Sequence, residues 1–98
     1  MKLFGFLEPA RIELEEAINF YNQQRAYLGD EFAAEVLNTI NRILNHPEAW
    51  TKLSKRTRRC RTNRFPYGVI YQIRGDRILI IAVAHLRRKP IYWRDRLK

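Results

Sequence analysis

The chain has 98 residues, 46% hydrophobic and 12% aromatic, with a formal net charge of +9. That composition describes one small domain, spanning 1–98, with material for a modest core; it excludes a disordered chain, and with Cys60 as its one cysteine it excludes an internal disulfide scaffold. No apolar run approaches the roughly 20 residues of a membrane span, and Glu8 and Pro9 arrive too early for a signal peptide, so a soluble cytoplasmic protein with no membrane partner is expected.

In chain order, KLFGFL (Lys2–Leu7) reads as a short strand. Pro9 suits the first turn of a helix, where its missing N–H costs nothing. Over 9–27, Ala10, Leu14, Ala17, Ile18 and Tyr21 recur at helical spacing, with Glu13, Glu15 and Glu16 off the stripe. Those acids lie towards the N-terminal end, where the helix dipole favours them, and they lack the partner ligands a metal site needs. Gly29 reads as a stop. A second helix is expected over 30–46, starting at Asp30, with Phe32, Ala33, Val36, Leu37, Ile40, Ile43 and Leu44 on one face and Pro47 at its end. The short connection makes the pair an antiparallel helical hairpin.

Residues 48–57 read as a loop with Trp50 as a plug against the core. From Arg58 the pattern turns to strands, with Cys60 and Thr62 alternating against Arg59, Arg61 and Asn63. After Pro66, the runs 67–73 and 78–85 are rich in Val, Ile and Tyr and flank the turn Arg74-Gly75-Asp76-Arg77, a β-hairpin in which the Arg-Gly-Asp tripeptide is a turn and nothing more. The long apolar run 78–84 predicts a central strand covered on both faces. Beyond Pro90, IYWRDRLK fits a last short strand or a helical turn. The order β-α-α-β-β-β predicts an α+β fold, a small antiparallel sheet with the helical hairpin packed on one face.

The charge is divided unevenly. Residues 1–50 hold four Lys/Arg against eight Asp/Glu, a net of −4, while residues 51–98 hold fifteen against two, a net of +13. A half-chain this basic repels itself until a polyanion or an acidic protein relieves it. Within it, Lys52, Lys55, Arg56, Arg58, Arg59, Arg61 and Arg64 put seven bases and no acid into thirteen residues. Protecting a sheet edge takes only one or two cations. Seven, most of them guanidinium forks that suit phosphate and carboxylate, point to a surface that binds nucleic acid or an acidic partner.

A second cluster, His85, Arg87, Arg88 and Lys89, stands at the exit of the last long strand. Strand parity puts His85 in register with Leu79, Ile81 and Val83, pointing into the sheet face. Two readings stand for it: a hydrogen-bonded histidine at a strand end, or an acid–base or phosphate ligand beside arginines. In Tyr92-Trp93-Arg94, Trp93 is expected in the core and Tyr92 on the surface, where an aromatic among arginines stacks on a base or a peptide. Cys60 is expected in the core, although neighbouring arginines favour a thiolate. The residues contain no phosphate loop, no Cys/His metal spacing and no serine-nucleophile context, and no metal or cofactor is expected.

Several stretches carry a resemblance that spans nearly the whole chain: FLEPA at 6–10, LGDEF at 28–32, HPEAW at 46–50, and above all RFPYGVIYQI at 64–73 with AVAHLRRKPIYW at 82–93. The sequence resembles the RelE/ParE superfamily of bacterial type II toxins, nearest to plasmid-stabilisation, ParE-like members. The resemblance implies a growth-inhibiting toxin held inactive by a cognate acidic antitoxin, reaching operator DNA only through that antitoxin. The family's fold, a small antiparallel sheet with a two-helix hairpin, agrees with the reading of the elements.

The superfamily forks. ParE-like members bind and inhibit DNA gyrase; RelE-like members cleave mRNA on the ribosome, the 2′-hydroxyl attacking the adjacent phosphate. The RelE pattern puts one arginine directly after the tyrosine, where this chain has Gly68, and another just before the charged run, where it has Leu86. Each lost charge on a developing phosphorane costs about 10²–10³ in rate. The ParE-like branch is therefore favoured, with Lys52, Lys55, Arg56, Arg58, Arg59, Arg61, Arg64, Arg87, Tyr92 and Trp93 as the surface for target or antitoxin. The alternative is a ribosome-dependent ribonuclease with His85, Arg88 and Tyr92 as its site; a second alternative is a non-toxic nucleic-acid-binding module.

Overall fold

The structure, a computed structural model, describes residues 3–97. Its elements are β1 (Leu3–Phe6), α1 (Glu8–Gln24), α2 (Leu28–Asn45), β2 (Thr51–Lys52), β3 (Thr57–Arg61), β4 (Tyr67–Arg74) and β5 (Arg77–His85), closed by a 3₁₀ turn over Arg94–Leu97. Lys2, expected to open the first strand, lies outside the described residues.

The five strands form one sheet in the order β1-β5-β4-β3-β2. The β-α-α-β-β-β order and the α+β class hold, and β3, β4 and β5 pair antiparallel as expected. β1 makes the sheet mixed. The helical hairpin carries the chain across the sheet and returns it so that β1 lies parallel to β5, with Leu3 opposite Arg77 and Phe6 opposite Ile80. The expected loop over 48–57 contains β2, two residues that pair with Arg58 and Arg59.

The α1 stripe is as expected: Ala10 and Ala17 are buried, and Leu14, Ile18 and Tyr21 pack against the core. On α2, Phe32, Val36, Ile40 and Ile43 are buried, but Leu37 is 52% exposed. It stands too far round the helix to reach the sheet, and Thr39 is buried in the core instead, its hydroxyl donating to the Glu35 carbonyl at 2.8 Å. Gly29 is no stop. The first helix ends at Arg25, extended, and the chain turns through Tyr27 in the left-handed region at φ 67°. Gly29 sits inside the first turn of α2, buried against α1, with its N–H donating to Asn22 Oδ1 at 2.7 Å.

The motifs that carried the resemblance prove to be joints of this fold. In FLEPA, the Leu7 carbonyl accepts the N–H groups of Ala10 and Arg11 at the start of α1. In LGDEF, Glu31 holds Arg25 and Arg64 at 3.1 and 2.7 Å. One turn on, Glu35 accepts the backbone N–H groups of Arg64 and Phe65 at 2.7 and 3.1 Å. In HPEAW, the Pro47 carbonyl accepts the Tyr71 hydroxyl at 2.5 Å. Trp50 is half-buried against the core, the plug expected of it. Phe65 and Tyr67 then complete an aromatic cluster with Tyr21 and Phe32.

The parity expected for β5 fails at one residue. Ile70 pairs with Ala82 but Tyr71 pairs with Ile80, so Ile81 is the extra residue of a β-bulge. Ile78, Ile80 and Val83 pack beneath the helices, whereas Leu79, Ile81, Ala82 and Ala84 pack on the opposite face. His85 therefore shares a face with Val83 and not with Leu79 or Ile81. That opposite face is covered by the C-terminal segment, whose Trp93 is 3% exposed and packs on Ile70, Ile81, Ala82 and Ala84. The dry run of β5 thus has two covers, the helices and the segment from Leu86 to Leu97. Cys60 is buried in the helix-side core, and burial pushes its thiol above the usual range against an opposing pull from Arg42.

Candidate functional site

Glu13 organises the part of the molecule where the second basic cluster lies. Its side chain, 12% exposed, leaves the apolar stripe of α1 and reaches the end of β5. Oε1 accepts the Val83 N–H at 3.1 Å, one partner of a carboxylate that ties the helix to the strand. Arg96 forks onto both oxygens, Nη1 to Oε1 and Nη2 to Oε2, each at 2.8 Å. The Tyr92 hydroxyl donates to Oε2 at 2.6 Å. Arg88 lies 3.7 Å from Oε2, and its guanidinium also stands 3.7 Å from the centre of the Tyr92 ring. Arg96 adds a donation to the Ile81 carbonyl at 3.1 Å. A two-pronged guanidinium–carboxylate pair with the remaining lone pairs satisfied is the strong form of an ion pair. It clamps the C-terminal segment over the sheet.

Tyr92, expected on the surface, is half-buried in this clamp. Burial first, then the hydrogen bond to Glu13 and its charge, raise the Tyr92 hydroxyl well above the usual tyrosine value of 10.0. Burial likewise pushes Tyr71 up to about 12. Both hydroxyls keep their protons in the folded chain at pH values where an unfolded tyrosine has lost its own. Their contribution to stability is therefore complete below about pH 10 and is lost as the pH climbs from there through the folded values. Denaturant melts at pH 9 and pH 11 should show this loss, and Tyr92→Phe should lose less than wild type; an equal loss in both would show that Tyr92 does not contribute.

The structure places the expected site residues in three settings. His85, Arg88, Tyr92 and Trp93 all line one pocket of about 230 Å³ at the exit of β5, together with Arg59 and Lys89. His85 packs edge-on against Tyr67 with centroids 5.2 Å apart, and its Nδ1 accepts the Arg87 N–H at 3.0 Å. Nδ1 is thus occupied as an acceptor. Arg87 itself is exposed.

In the basic run, two arginines serve the scaffold. Arg58 points to the helix side and donates to the carbonyls of Glu48 and Trp50 at 2.9 and 3.0 Å. Arg64 is bound to Glu31. Lys52, Lys55 and Arg56 remain as an exposed group around the β2–β3 connection, and Arg61 is exposed on β3. Arg59 is half-buried, with its stem lying across Gly68: a Cβ built on Gly68 would stand 2.8 Å from Arg59 Cδ and 2.9 Å from Cγ. The position where the ribonuclease pattern carries an arginine is therefore roofed by an arginine from the neighbouring strand.

Residue reasoning missed Glu13 and Arg96. The one signal available was that Glu13 falls three positions after Ala10 and four before Ala17, which sets it along the border of the apolar stripe, while Glu15 and Glu16 fall further round the helix. Its partners stand 70–83 positions away, beyond any local pattern. Among the described residues, no group of three or more His, Cys, Asp or Glu is placed to hold a metal ion, and no helix is long and apolar enough to cross a membrane.

No curated protein matches the chain. Among solved structures it is similar to a chain of the chromosomal ParDE TA system from P. aeruginosa, with a TM-score of 0.75 at 12% identity, over 87% of this chain and 96% of that one. At that identity the likeness bears on the fold, and it reaches nearly the whole of both chains. The family model for the ParE toxin of the type II toxin-antitoxin system parDE matches residues 6–90. That span runs from the end of β1 to the start of the clamped segment, and on it this chain belongs to the ParE toxin family.

Proposed function

We propose that the chain is the toxin of a toxin–antitoxin pair, that it arrests growth by binding DNA gyrase without catalysis, and that an acidic antitoxin segment neutralises it. The observation that carries the choice of mechanism is the Tyr92 hydroxyl, which donates to Glu13 and is half-buried. A general base or acid works best with a pKa near the operating pH. The Tyr92 hydroxyl has moved the other way, and its proton already has an acceptor. Neither Gly68 nor Leu86 carries the cation that the ribonuclease pattern puts at its position. The exposed cations Lys52, Lys55, Arg56, Arg61 and Arg87 suit a contact surface, one that an acidic antitoxin chain would cover and neutralise. Arg59, Tyr92 and Trp93 line the pocket of about 230 Å³ at the exit of β5. Ribosome-dependent mRNA cleavage through His85, Arg88 and Tyr92 is the competing reading.

Purified chain freed of antitoxin is expected to block supercoiling by gyrase or to trap gyrase–DNA cleavage complexes at micromolar concentration, and His85→Ala is expected to arrest growth as wild type does. A Lys55→Glu, Arg56→Glu double variant should weaken inhibition, more so at low salt. Gyrase that supercoils normally, with His85→Ala abolishing toxicity and new mRNA 5′ ends appearing at ribosomal A sites in wild type, would overturn this mechanism in favour of the ribonuclease.

A further inference from the structure

Among the described residues, two buried side-chain N–H groups have no acceptor: Nε1 of Trp50 and Nε of Arg59. Both residues line the same pocket, of about 470 Å³, at the outer edge of β3. The pocket exists because β2 is only two residues long. It pairs with Arg58 and Arg59 and leaves the backbone of β3 beyond them uncovered. Arg42 from α2 reaches into this gap. Its Nη2 donates to the Arg61 carbonyl at 3.0 Å and to Thr39 Oγ1 at 3.1 Å, and its guanidinium stands 5.6 Å from the centre of the Trp50 ring. Arg61 and Asn63 complete the wall, and no carboxylate lines it.

We propose that this pocket is a binding site for a phosphate monoester such as a small nucleotide. Three guanidinium groups match a doubly charged phosphate better than a singly charged carboxylate. The donors, from Arg42, Trp50, Arg59, Arg61 and Asn63, also outnumber what two carboxylate oxygens accept in one plane. The two orphaned N–H groups are the kind of buried donor that an acceptor from outside would satisfy. The lining contains no histidine, tyrosine or carboxylate, so the site has no base and binds without cleaving. It stands apart from the clamp at Glu13 and does not depend on gyrase being the target.

Calorimetric titration of the folded chain with inorganic phosphate, with AMP and with a hexaglutamate peptide, at matched ionic strength, tests the site. Phosphate and AMP should each bind at one site. Arg61→Gln should weaken both by about tenfold or more, the order expected for one charge-assisted hydrogen bond. Trp50→Phe, which keeps an aromatic plug and removes the N–H, should weaken both by about fivefold. Tighter binding of AMP than of phosphate would place the nucleoside in the pocket as well. The absence of saturable heat with phosphate and AMP at millimolar concentration would overturn the proposal. So would unchanged affinities in both variants, or tighter binding of hexaglutamate that the same variants abolish, which would make this a carboxylate site.

Discussion

Replacing Glu13 with alanine is expected to lower stability by about 3 kcal/mol, the usual cost of removing one partner from a buried, hydrogen-bonded ion pair. In a domain of this size that corresponds to a fall of about 15 °C in the melting temperature. The physical reason is that one carboxylate serves four groups on two other elements: the Val83 N–H on β5, and Tyr92, Arg96 and Arg88 on the C-terminal segment. Its loss leaves the half-buried Arg96 guanidinium with the Ile81 carbonyl as an acceptor and without a counter-charge. The segment that it held carries Arg87, Arg88, Arg94 and Arg96, none of them before a proline, so release can be read by trypsin. Cleavage within 87–96 should accelerate before the rest of the chain is cut. Glu13→Gln, which keeps the shape and some hydrogen bonds, should lose about half as much stability. A Glu13→Ala chain with wild-type melting and an uncut C-terminal segment would show that packing of Trp93 alone holds the segment down.

Gly29→Ala is expected to be similarly severe, about 3 kcal/mol, for a steric reason. A Cβ built there would lie 2.0 Å from the Ile18 carbonyl oxygen and 2.7 Å from Asn22 Cγ. The first of these is backbone of α1, so relief requires the two helices to move apart. Gly75 provides the contrast. It adopts φ 62° in the β4–β5 turn with nothing within 4 Å of its missing Cβ, so alanine there costs about 1 kcal/mol of backbone strain alone. Urea melts of the two variants should separate by about 2 kcal/mol; equal midpoints would mean that the helix pair opens freely at Gly29.

Both variants bear on what toxicity measures. A chain that loses growth arrest through Glu13→Ala or Gly29→Ala has lost its fold or its C-terminal cover, not a catalytic group. The arginines divide in the same way. Arg58, Arg64 and Arg96 are bound to carbonyls and carboxylates of the scaffold, and their removal would mimic loss of a binding surface. Lys55, Arg56 and Arg61 are the cleaner probes of partner binding.

What the amino-acid order determined by itself is whatever depends on neighbours. The helical stripe Ala10–Tyr21, the apolar runs of β4 and β5, the Arg-Gly-Asp turn, the burial of Cys60 and Trp93 and the plug at Trp50 all follow from spacing, propensity and hydrophobicity within a few residues. So does the family likeness, since its motifs are the short joints between elements. The excess of charge in the second half was legible, though not which of its arginines were already engaged by the scaffold.

Only the tertiary structure decided the rest, because each remaining feature depends on partners far along the chain or on one change of register. The bulge at Ile81 turns the following side chains to the other face and with them His85, an outcome that period-two counting cannot foresee. β1 is parallel to β5 because the helical hairpin returns the chain from the far side. Gly29 is required by a carbonyl of another helix, and Glu13, one acid among several on an exposed-looking helix, becomes the anchor of the C-terminal segment because folding brings Arg96 and Tyr92 to it.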